Sequence, residues 1–108
     1  MTKVSLVYLN DGFFFECSGH AGYAEKGKDI VCAGLSVLCI ALVERISELA
    51  DENLVQVRSF HCSDGELNLE VAYAEEEFCR LKVQEALETV RCGLQRLEAM
   101  YPENILLE

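Results

Sequence analysis

From Ile30 to Ala50 the chain carries a helical pattern that is apolar nearly all round. Leu35, Leu38, Leu42, Ile46 and Leu49 step by three and four along it, and Val31, Val37, Ile40 and Val43 add apolar surface on other faces. A helix of this kind must be buried on more than one side. One face should meet a sheet; another needs a second helix or another subunit. Asp29 stands where the N-cap belongs.

The segments around that helix read as hairpins. Val4 to Leu9 alternates, Asn10-Asp11-Gly12 signals a turn, and Phe13 to Ser18 alternates again. A second pair runs from Leu54 to Cys62, turns at Ser63-Asp64-Gly65, and continues from Glu66 to Tyr73. A second helix spans about Glu75 to Tyr101, with Val83, Leu87, Val90, Leu94, Leu97 and Tyr101 in one stripe, and Pro102 stops it. Asn104-Ile105-Leu106-Leu107 could add an edge strand. The order ββαββα predicts an α+β two-layer sandwich, a mostly antiparallel sheet packed against two helices. The two ββα halves repeat in element order, without matching residues.

With 108 residues, 51% of them hydrophobic, the chain suits one domain over residues 1–108 with a packed core. Its longest apolar run, Val37 to Val43, falls well short of the ~18 residues that argue for a membrane span, so no membrane role is expected. Met1-Thr2-Lys3-Val4 has no signal-peptide architecture, which predicts a cytoplasmic protein. Net charge is −10, which argues against direct nucleic-acid binding, because phosphate contacts need Lys and Arg. The same charge suits a basic partner, and it also serves plain solubility.

Six cysteines are present: Cys17, Cys32, Cys39, Cys62, Cys79 and Cys92. Without a secretory signal the even count is no argument for disulfides, and most of the six read as small buried hydrophobes. Cys32 differs in its setting. It lies three residues after the cap Asp29, where the free N–H groups of a helix start stabilise negative charge such as a thiolate. Ala33 and Gly34 follow and leave room for a substrate backbone. His20 closes the second strand twelve positions earlier, at a strand-end loop, and an imidazole there can serve as general base. A loop with Gly22 and Gly27 separates them. Asp29 caps the helix and is also a candidate to orient His20. Ser36 is one turn beyond Cys32 on the same face. His61, mid-strand beside Cys62, reads better as a sheet residue.

Two other motifs fail. Cys39 to Arg45 has a Cys-x5-Arg phosphate-loop spacing, but Ile40 to Glu44 is helical and lacks glycine, so it offers no ring of N–H groups. Zinc held by Cys17, His20 and Cys32 fits no common spacing, and neither metal nor cofactor is expected.

Gly19-His20-Ala21 followed by Gly27-Lys28-Asp29-Ile30-Val31-Cys32-Ala33-Gly34-Leu35-Ser36 closely resembles the signature of the ribosomal-processing cysteine proteases. Tyr101-Pro102-Glu103-Asn104-Ile105 also looks like that family's ending. The resemblance implies a cysteine endopeptidase that removes a short N-terminal extension from a large-subunit ribosomal protein through an acyl-enzyme. It implies Cys32 as nucleophile, His20 as general base and acid, and support from Asp29 and Ser36. It further implies a homodimer and a mobile loop, residues 20–28, over the site. Gly19, Ala21, Gly22 and Gly27 are then the candidate substrate contacts, and N–H groups at the helix start the oxyanion donors. The alternatives are a non-enzymatic acidic ribosome-associated binding module, which would not need Cys32, and a redox-sensing thiol protein.

Overall fold

The computed structural model describes residues 1–108. β1 (Thr2–Leu9) and β2 (Gly12–Gly19) pair antiparallel in the register Val4↔Cys17, Leu6↔Phe15 and Tyr8↔Phe13. The alternation of the sequence thus puts both apolar sets on one face. Gly12 belongs to the strand rather than the turn, where the sequence had placed it. A Cβ there would sit 1.7 Å from the Val71 carbonyl oxygen, so the glycine permits close approach of two backbones.

β3 (Val55–Ser63) and β4 (Glu66–Tyr73) form the second hairpin, turned through Asp64 and Gly65, with Gly65 at φ +79°. The hairpins join through β2 and β4, where Phe13↔Val71, Phe15↔Leu69 and Cys17↔Leu67 continue the apolar rows. β5 (Ile105–Leu107) adds parallel to β1, so the predicted edge strand exists, and the full order is β3-β4-β2-β1-β5. The sheet is mixed and mostly antiparallel, in the expected α+β arrangement.

α1 (Ile30–Asp51) buries Val31, Leu35, Cys39, Leu42, Ile46 and Leu49, a stripe of three- and four-residue steps. α2 (Glu77–Met100) buries Cys79, Val83, Leu87, Val90 and Leu94. It starts two residues later than the acidic run suggested, with Glu76 as an N-cap that makes no side-chain bond. The helices meet through small residues: Gly93 lies under Leu38, and Gly34 faces Leu97. A core of 19 buried residues joins both helices to the sheet.

By length and a mean hydropathy of 2.0, α1 is long and apolar enough to cross a membrane, a reading the apolar-run count had missed. Its buried stripe instead packs into the protein core. Burial on more than one side is met by the sheet and α2, and part of the apolar surface stays open in the single chain. Val37 is 67% exposed and Ile40 51%, and at the nearby sheet edge Phe60 of β3 is 49% exposed.

Candidate active site

The site forms where β2 ends and α1 begins. Gly19 closes β2 at φ +95°, and a Cβ there would lie 2.5 Å from the Met1 carbonyl oxygen. Its N–H donates to the Gly65 carbonyl at 2.8 Å, which ties the strand end to the β3–β4 turn. His20 follows, exposed, with its ring against Gly65: a Cβ on Gly65 would be 2.8 Å from Nε2. Ala21 is buried, and its carbonyl accepts from Asn104 Nδ2 at 2.9 Å.

The chain then runs out over the surface. Gly22 (φ +70°) and Gly27 (φ +90°) stand in open space, and the residues between them are exposed. Asp29 draws the loop back. Its Oδ1 accepts from the Cys32 N–H at 2.9 Å, as the cap predicted. Its Oδ2 accepts from the N–H groups of Tyr23 (3.0 Å) and Ala24 (3.3 Å). These amide protons, that of Cys32 foremost, hold the Asp29 carboxyl below the usual carboxylate range. The carboxylate is therefore engaged by backbone rather than by His20, whose orientation it was a candidate to set. The Cys32 N–H, expected as an oxyanion donor, is bound to Asp29, and the Ala33 N–H makes the first helical bond, to the Asp29 carbonyl at 3.0 Å.

Cys32 is half-buried and Ser36 exposed one turn later. Two cavities meet at them. A narrow one of about 190 Å³ runs between α1 and the sheet, past Cys17, Leu35, Cys39 and Leu67. A wider, more polar one of about 560 Å³ lies under the loop, past Gly22, Gly27 and Asp29. His20, Cys32 and Ser36 line both. A thiol and an imidazole at the join of two cavities can act as nucleophile and base toward a chain threaded through them.

The other cysteines have different surroundings. Cys39 is buried, and the neighbouring Cys17 thiol first, with burial second, pushes its thiol above the usual range. It stays protonated and inert. Cys79 is buried, and Cys62 and Cys92 are exposed. His61 is an exposed residue of β3, 3.2 Å from the Ser63 hydroxyl, away from Cys32.

Three contributors escaped the residue-by-residue sequence reading. Gly65 was seen only as a turn glycine, and Tyr101 and Asn104 only as a helix end and a strand start. The Tyr101 ring meets Tyr23 edge-on, with centroids 5.4 Å apart. All three reach the site through pairings distant in sequence.

The family model for cysteine protease Prp matches residues 1–106. The ribosomal processing cysteine protease Prp of Bacillus subtilis (strain 168) is 30% identical over 92 residues, covering 84% of this chain and 80% of that protein. The structure of the essential ribosomal processing protease Prp from S. aureus, in complex with a covalently linked product peptide, superposes with a TM-score of 0.81 at 28% identity, over 100% of this chain and 98% of that one. The same S. aureus protease with a substrate peptide gives 0.71 at 26% identity, over 100% and 98%. SMU.848 from Streptococcus mutans gives 0.70 at 28% identity, over 100% and 92%. With the family's pattern running nearly end to end through a chain of the same fold, this protein belongs to the Prp family of ribosomal-processing cysteine proteases.

Proposed function

We propose that this protease removes a short N-terminal extension from a large-subunit ribosomal protein, with Cys32 as nucleophile and His20 as general base and acid. The observation that carries the reading is the shared position of Cys32 and His20 at the junction of both cavities. The S. aureus relative's complexes with a substrate peptide and a covalently linked product peptide support it. The net charge of −10 favours encounter with a basic ribosomal protein in the cytoplasm, an attraction that salt would weaken.

Cys32 Sγ attacks the scissile carbonyl as His20 takes the thiol proton. The resulting oxyanion forms near the helix start, whose backbone N–H groups and dipole favour negative charge. His20 then protonates the departing amine, and the acyl group remains on Cys32 as a thioester. Water, deprotonated by His20, hydrolyses the thioester and restores the thiol. Asp29 and Ser36 support the site, Asp29 through the backbone. Gly19, Gly22 and Gly27 border the path of the substrate, whereas Ala21, expected beside them, is buried in the core and lines neither cavity.

The test is incubation of the purified protein with the extended ribosomal protein, beside Cys32→Ala, read by intact mass. Loss of one N-terminal peptide with the wild type alone establishes activity and nucleophile together. An unprocessed substrate bound equally by both proteins would make this a binding module instead.

The proposal includes a homodimer. Ile40, which lines the narrow cavity, and Val37 one turn before it leave apolar surface of α1 exposed, as Phe60 does on the edge strand β3. Light scattering should report twice the mass of 12.1 kDa, and Ile40→Asp should halve it. A wild-type mass of one chain would remove the homodimer.

A further inference from the structure

His20 lacks the usual means of orienting a catalytic imidazole. In a triad a third side chain, commonly a carboxylate, holds the base. Here Asp29, the candidate that the sequence offers, spends both oxygens on the N–H groups of Cys32, Tyr23 and Ala24, and Asp64, which borders both cavities with His20, pairs with Lys26 at 3.9 Å. Orientation then comes from the backbone that carries the ring, together with the seat of the ring against Gly65.

That backbone is pinned on both sides of His20. Before it, the Gly19 N–H is bonded to the Gly65 carbonyl at 2.8 Å. After it, the Ala21 carbonyl is bonded to Asn104 Nδ2 at 2.9 Å, while the Ala21 methyl is 1% exposed in the core. A carbonyl only accepts, so the Asn104 amide must present its nitrogen there. Asn104 is itself fixed at the sheet end: its carbonyl accepts from the Thr2 N–H at 2.9 Å and its N–H donates to the Tyr101 carbonyl at 3.0 Å. Three residues earlier, the Tyr101 ring meets Tyr23, whose N–H is already held by Asp29. The segment between α2 and β5 thus grips the chain just after the histidine at two points.

We propose that Asn104 and Tyr101 are positioning residues that hold His20, and the loop after it, in register with Cys32. The inference rests on the reading of His20 as the base. It assigns a catalytic purpose to a turn 83 positions distant in sequence at the 2.9 Å bond between Asn104 and Ala21, reinforced by the ring contact between Tyr101 and Tyr23.

The experiment uses the full chain and four variants: Asn104→Asp, Tyr101→Ala, Tyr101→Phe and His20→Ala. Asn104→Asp keeps the shape but presents only acceptors to the Ala21 carbonyl. Two readouts are taken: kcat and KM on the extended ribosomal protein, and the pH profile of Cys32 alkylation by iodoacetamide, which needs no substrate. Because a displacement of about 1 Å at a reacting group can cost roughly 100-fold, Asn104→Asp should lower kcat by about 10- to 100-fold and leave KM within about threefold. Its alkylation profile should shift toward that of His20→Ala. Tyr101→Ala should show a smaller loss of the same kind, and Tyr101→Phe should restore it.

A folded Asn104→Asp with wild-type kcat and alkylation profile overturns the proposal, as does an effect confined to KM. Should Asn104→Asp fail to fold, the tyrosine pair decides: equal kcat in Tyr101→Ala and Tyr101→Phe overturns it. Failure of the underlying reading has its own signature, since His20→Ala would then alkylate at Cys32 as the wild type does.

Discussion

The carboxylate of Asp29 joins Cys32 to the loop above it: Oδ1 accepts from the Cys32 N–H at 2.9 Å while Oδ2 accepts from the Tyr23 N–H at 3.0 Å. One side chain is both helix cap and loop clasp. Asp29→Ala should therefore loosen α1 and the loop together. The loop offers trypsin two exposed sites, Lys26 and Lys28. Cleavage there should be several-fold faster in Asp29→Ala, with a lower melting temperature, and Asp29→Asn should fall between the two. Wild-type cleavage rates in Asp29→Ala would show that the loop is held by something else.

The clasp should respond to acid with a definite sign. The folded-state carboxyl of Asp29 lies below its ordinary value because the Cys32, Ala24, Tyr23 and Val31 amides bond to the ionised form. A carboxyl depressed on folding contributes fully above its unfolded pKa of about 3.9 and loses that contribution as the pH falls through the lower folded value. Exchange protection at the Tyr23, Ala24 and Cys32 amides should hold down to about pH 4 and drop below it. Asp29→Asn, with nothing to protonate, should show no such step. The same drop in both proteins would assign the effect to global unfolding.

The local chemistry was legible in the sequence and the distant pairings were not. Asp29 as cap, the α1 positions Leu35, Leu42, Ile46 and Leu49 and both hairpins follow from spacing within a few residues, whereas Val31 and Cys39 join the buried stripe in place of Leu38, which is only half-buried. The β2–β4 junction does not, because it brings Gly12 against Val71 from far along the chain. Asn104 could be read as a strand start but not as a partner of Ala21, since that bond exists only after β5 docks parallel to β1. The Asp29 carboxylate shows the limit within the site itself. Its cap was readable from position, whereas its occupation by Tyr23 and Ala24 depends on how the glycine-flanked loop folds back.

Reactivity among the six cysteines separates environment from access. Access alone would rank exposed Cys62 and Cys92 ahead of half-buried Cys32. Pairing with His20 at the helix start should reverse that order, so iodoacetamide near pH 7 should label Cys32 first by peptide mass mapping. Cys32→Ala should abolish cleavage. Cys39→Ala should keep it and cost about 1 kcal/mol of stability, a typical value for trimming a buried side chain. Labelling that follows exposure would remove the case for an activated thiol.

Gly65 offers a test of how tightly the His20 ring is seated. At φ +79° it occupies the left-handed region, and an added Cβ would fall 2.8 Å from His20 Nε2 and 3.1 Å from Cε1. Gly65→Ala thus imposes two separate penalties. The backbone strain should cost about 1–2 kcal/mol of stability. The steric one should turn or tilt the imidazole away from the cavity that it shares with Cys32. Asn53, at φ +62° in the turn between α1 and β3, provides a comparison because it is also left-handed and lines neither of the cavities that His20 and Cys32 share. Asn53→Ala should lower the melting temperature and leave kcat unchanged. Gly65→Ala should lower both, with kcat down by about tenfold or more. Measuring kcat well below the melting temperature of each variant separates the two penalties. If Gly65→Ala is less stable yet turns over like the wild type, the ring has room to move, and the seat against Gly65 does not govern catalysis.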